Sequence, residues 1–109
     1  MKYHHGNLKE ELISSACKIC ETDGHENMSL RSIAKEANVS QTAPYRHFKT
    51  KESLLAEVSK LGFDELTDRL NQSVAANKKL SSTDKFLEMA LAYIEFGREK
   101  RMIYDLMHS

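Results

Sequence analysis

Residues 29–51, SLRSIAKEANVSQTAPYRHFKTK, restrict the fold more than any other part of the chain. Leu30, Ile33, Ala34 and Ala37 recur at helical spacing and form one apolar face. Asn38-Val39-Ser40 breaks that pattern. Asn tolerates the left-handed backbone of a sharp turn, Val39 can plug into a core, and Ser40 suits an N-cap. After this turn another short helix is predicted over residues 41–48, with Gln41, Thr42, Tyr45, Arg46 and His47 outward and Ala43 and Phe48 inward or neutral. Pro44 falls inside it, where the damage to hydrogen bonding is limited to the first turn. No Asp or Glu occurs between Glu36 and Glu52, so a polyanion meets no like charge there.

The rest of the chain reads as helix. With 109 residues there is room for one small domain, or for one domain and part of another. A single Pro and four Gly leave few breaks. Asn7 followed by Glu10 resembles a capping box at the start of a first helix. Leu8, Leu12, Ile13, Ala16, Cys17, Ile19 and Cys20 give that helix a broad apolar face, and Gly24 suits its C-cap. Residues 1–6 read as an arm whose Lys2, Tyr3, His4 and His5 can reach a phosphate backbone. Ser29 caps the second helix, whose N-terminal amides can hold a phosphate.

Thr50 caps a long amphipathic helix running to about Val74. Gly62 within it marks either a close packing point or a mild weakness. Lys51 lies in the first turn, where a cation opposes the helix dipole; a nearby phosphate would supply the compensation. A polar break follows over residues 75–80. Ser81, Ser82 or Thr83 then caps a fifth helix with an apolar face of Phe86, Leu87, Ala90, Leu91, Tyr93, Ile94 and Gly97. Met102, Ile103, Tyr104, Leu106 and Met107 form a last apolar segment, expected to stay exposed and to pair with another copy.

The expected fold is therefore all-α. A three-helix head over residues 1–50 contains a helix-turn-helix at about 29–48. A connector helix and a partial helical C-terminal region occupy residues 51–109.

Several function classes are excluded. Lys plus Arg number 16 and Asp plus Glu 16, so bulk charge does not drive nucleic-acid coating, although a local basic face remains open. The N-terminus has no apolar run of a signal peptide, and no segment approaches a membrane span; a cytoplasmic protein is expected. Cys17-x-x-Cys20 lacks further zinc ligands at suitable spacing and lies within a helical pattern, so core thiols are expected. There is no Gly-rich phosphate loop, Ser/His/Asp set or HExxH, so neither an enzyme nor a cofactor or metal site is expected.

A helix-turn-helix places its second helix in the DNA major groove. Arg46 has the chemistry to read guanine and Gln41 to read adenine. Tyr45, His47, Lys49 and Lys51 suit phosphate contacts, which fix register without reading sequence. Ser40, at the cap, belongs to the same face. Phe86, Ala90, Tyr93, Ile94 and Met102 are candidates to line an effector cavity. The competing reading is a helical protein–protein interaction module with a vestigial head.

LRSIAKEANVSQTAPYRHFKTKESLL resembles the DNA-binding head of the TetR/AcrR family of bacterial transcriptional regulators. YHHGNLKEELISSA and APYRHF resemble a subgroup of it, and the match covers about residues 3 to 60. The resemblance implies phosphate contacts near Ser29, Tyr45, His47 and Lys51, and base reading from Gln41, Thr42, Ala43 and Arg46. It implies a double-stranded DNA operator, a repressor released by a small-molecule effector, and a homodimer. Asn38 stands where the family usually has Gly. REKRMIYDLMHS resembles a stretch early in the family's C-terminal domain, with the dimerising helices lying beyond it.

Overall fold

The computed structural model describes residues 7–75 and 79–109. The arm carrying Lys2, Tyr3, His4 and His5, and part of the polar break at 75–80, lie outside them. The described residues form helices and turns, as the all-α expectation requires: α1 (Leu8–Asp23), α2 (Leu30–Glu36), a 3₁₀ turn (Ala43–Arg46), α3 (Lys51–Ala75), α4 (Ser82–Glu99) and α5 (Arg101–Met107).

The helix starts are set by local chemistry. Asn7 Oδ1 accepts from Glu10 N at 3.1 Å. Ser29 and Ser32 cap α2 reciprocally, at 3.0 and 2.9 Å. Thr50 and Ser53 repeat the arrangement at α3. Ser81 caps α4 by accepting from Asp84 N. Each bond satisfies an amide that the helix leaves without a partner. Gly24 closes α1 at φ 81°, and Asn38 turns the chain after α2 at φ 58°.

One core joins the elements. Leu12, Ala16 and Cys20 of α1 meet Ile33 and Ala37, Phe48, and Leu54 and Val58 of α3. Val39 is half-buried against this cluster. The α1 thiols are free, Cys20 buried and Cys17 half-buried. Burial pushes both thiols up, Cys20 to about 11.

Three expectations are corrected. The segment over 41–48 is not an α-helix but a short 3₁₀ turn flanked by turns. Pro44 has no N–H with which to reach the Ser40 carbonyl, and Ala43 N takes that oxygen instead at 3.1 Å. Ser40 does not act as an N-cap: its Oγ lies 3.4 Å from Thr42 Oγ1, and Thr42 stands at the cap position without a side-chain bond to a helix amide.

The apolar segment after Met102 is also not left open. Ile103, Leu106 and Met107 of α5 are buried within the same core, and α5 packs on α1 and α3 of its own chain. Cys20 Sγ donates to the Met102 carbonyl at 3.7 Å. Gly62 is the close packing point, its position beneath Met107 and Ile103 leaving no room for a side chain.

The α4 face divides differently from its sequence pattern. Phe96 is fully buried and lies under the Arg69 guanidinium, 5.4 Å from the ring centroid. Arg69 also binds Glu99 at 2.8 Å and Glu65 at 3.0 Å, tying α3 to α4. Phe86, Leu87, Leu91 and Ile94 point outward, Phe86 at 70% exposure.

Candidate nucleic-acid interface

The α2 start, the turn at Asn38 and the 3₁₀ segment present one continuous polar face. Leu30, Ile33 and Ala34 fix α2 from beneath. Ala43, Pro44 and Phe48 fix the 3₁₀ segment, with both His47 N and Phe48 N donating to the Pro44 carbonyl. Held this way, Ser29, Ser40, Gln41, Thr42, Tyr45, Arg46, His47 and Lys49 are all exposed. Tyr45 has 61% of its surface free. The Ser29 hydroxyl accepts from Ser32 N, and its proton is left to donate outward. The His47 ring stands edge-on to Phe48, with centroids 6.5 Å apart.

The electrostatics agree with the sequence pattern. Glu36, the last acid before the acid-free stretch, pairs with Lys18 at 3.4 Å. Lys9 of α1 lies over the Phe48 ring, 6.0 Å from its centroid, which brings a further cation to the base of this face. The sequence signals only that Lys9 is on the polar side of α1; its position beside Phe48 comes from the fold.

Two residues expected on the face are elsewhere. Ala43 is only 5% exposed, so its methyl packs inward. Its position just before Pro44 turns it into the core. Lys51 is half-buried, and its ammonium donates to the carbonyls of His25 at 3.3 Å and Glu26 at 3.1 Å. The compensation for a cation at a helix start comes from these carbonyl oxygens.

The five candidate effector residues differ in exposure and surroundings. Phe86 and Ile94 are exposed. Tyr93 is half-buried, with its hydroxyl 2.8 Å from His108 Nε2. Met102 lines a cavity of about 210 Å³ with Glu21, Glu99 and Lys100, and one of about 250 Å³ with Asp23, His25 and Asp105. None of the other four candidates lines either. The apolar pattern of α4 faces α3 on one side and solvent on the other.

Among the described residues no group of three or more His, Cys, Asp or Glu is placed to hold a metal ion, and no helix is long and apolar enough to cross a membrane.

These features define an all-helical protein built around a helix-turn-helix head. Residues 12–58 match the model for bacterial regulatory proteins of the tetR family, so the head is a domain of that family. It is 27% identical over 100 residues to the uncharacterized HTH-type transcriptional regulator YobS of Bacillus subtilis, a match covering 92% of this chain and 51% of that protein. It is 30% identical over 98 residues to IcaR, the negative transcriptional regulator of the biofilm operon icaADBC in Staphylococcus aureus, covering 88% of this chain and 50% of the relative. A solved structure of a protein with unknown function from Rhodococcus sp. RHA1 superposes with a TM-score of 0.81 at 35% identity, covering 99% of this chain and 55% of that one. The chain thus spans about half the length of the relatives it matches.

Proposed function

We propose that this chain is the operator-binding part of a transcriptional regulator, and that it acts as a repressor. The observation carrying this reading is the acid-free face on which Gln41, Thr42, Tyr45, Arg46 and His47 stand exposed directly after the capped start of α2. The 3₁₀ segment enters the major groove. Arg46 reads guanine and Gln41 adenine, while Ser29, Tyr45, His47 and Lys49 hold phosphates and set the register. Repression is supported by IcaR, which is named a negative regulator.

In this reading two copies bind a palindrome, with heads at major grooves roughly 34–36 Å apart or a multiple of that. A small-molecule effector acting on the C-terminal helices releases the operator by changing that spacing. Selection of bound duplexes from a random pool tests the reading: a recovered palindromic motif is expected. Binding of the selected duplex should weaken steeply with salt, because phosphate contacts release counterions. Recovery of no motif, or binding indifferent to salt, overturns it.

A further inference from the structure

We infer that Lys51 is a positioning residue, which holds the loop leading into Ser29 in register with the base-reading segment without itself touching DNA; this rests on the operator-binding reading above. Lys51 opens α3, five residues after Arg46 in the chain. Its ammonium reaches back to the loop between α1 and α2 and takes two carbonyls, His25 at 3.3 Å and Glu26 at 3.1 Å. The His25 carbonyl also accepts from Met28 N at 3.3 Å, and the Met28 side chain is buried in the core. Ser29, the α2 cap, follows directly. One cation therefore ties the residue that ends the reading segment's exit to the loop that aims the α2 N-terminus.

The surroundings of Lys51 also oppose a phosphate contact. It lines a groove of about 550 Å³ together with Glu26 and Glu52, whose carboxylates would repel a phosphate. Two of its three N–H donors are already committed to carbonyls. A hydrogen bond from a charged group is among the stronger ones in a protein, so two of them on one loop are enough to fix its position. The sequence pattern hid this role because the partners are main-chain oxygens 25 and 26 residues away.

The test uses the full chain with Lys51→Ala and Lys51→Arg. Lys51→Met, which keeps the aliphatic stem, replaces Ala should that variant not fold by circular dichroism. In the free protein, amide hydrogen exchange at Met28 and Ser32 should be about tenfold faster in the Ala variant, from loss of the charged hydrogen bonds, and restored by Arg. On a selected duplex, affinity should fall about tenfold at every salt concentration. The slope of log K against log salt should stay unchanged, and the preference for selected over random duplex should shrink. A slope reduced by about 0.9 identifies a phosphate contact and overturns the inference. Unchanged exchange at Met28 and Ser32 overturns it as well. If the parent chain selects no duplex, the operator-binding reading fails, and the exchange measurement alone still decides whether Lys51 holds the loop.

Discussion

Gly62 sits directly beneath Met107. A Cβ built on Gly62 would lie 2.7 Å from Met107 Sδ and 2.9 Å from Ile103 Cγ2. Helix propensity alone favours Ala over Gly by about 1 kcal/mol in a helix interior. Here the contact wins, because the Ile103 branch is stiff and both α5 residues are buried. Gly62→Ala should destabilise the chain by about 1–3 kcal/mol, as overpacking does. The exposed neighbour Leu61 provides the comparison: Leu61→Ala should stay within about 0.5 kcal/mol. Urea denaturation measures both, and a Gly62→Ala variant more stable than the parent would show that α5 does not hold this position.

The turn after α2 depends on Asn38 at φ 58°. A side chain with a β-carbon meets steric strain there, which Asn reduces by local hydrogen bonding. Asn38→Ala should lose about 1 kcal/mol of stability. Asn38→Gly should be neutral or slightly stabilising in the same thermal melt, since Gly adopts this conformation without strain. If both variants melted alike, the backbone would not be left-handed at this position.

Arg46 and Lys49 are both exposed and only three residues apart, yet they should fail differently. Arg46→Ala should cost about 1–3 kcal/mol at one base pair and relax the preference there. Lys49→Ala should weaken all duplexes alike and reduce the salt slope by about 0.9. Competition binding with single-position duplex variants separates the two. Uniform weakening by Arg46→Ala would make it a phosphate contact.

What was legible in the sequence was local. Asn7, Ser29, Thr50 and Ser81 cap their helices through bonds to amides three residues on, and a cap is written in a four-residue window. Asn38 announced its own turn. The α-helix expected over residues 41–48 does not form, because the exposed side chains keep helical spacing while Pro44 denies the backbone its bond. What stayed hidden depends on distant parts. The packing of α5 on α1 and α3, the burial of Phe96 under Arg69, and the carbonyl partners of Lys51 all join residues more than 20 apart in the chain. An apolar stripe says that a face wants covering, and not which element covers it.

The cysteines make the stability of this chain sensitive to alkaline pH. Cys20 is fully buried, and burial, followed by the nearby Cys17 and acidic Glu21 and Asp105, pushes its thiol up to about 11 from an ordinary value of 9.0. The neutral thiol is the form that the folded chain prefers. Below pH 9 both folded and unfolded chains keep the proton, and the full stability is present. Between pH 9 and about 11 the unfolded chain loses the proton while the folded chain retains it, so unfolding gains free energy and stability falls. Above about 11 the folded thiol ionises too and this contribution levels off. Cys17, also raised by burial and by Glu21, adds in the same direction. Urea midpoints measured from pH 8 to 11 should therefore decline, and decline less in Cys20→Ala than in the parent once each is referred to its own value at pH 8. A thiol-reactive disulfide reagent at pH 8 should label the native chain slowly and the urea-unfolded chain at once. Rapid native labelling of Cys20 would place its sulfur at the surface and remove the basis for the alkaline decline.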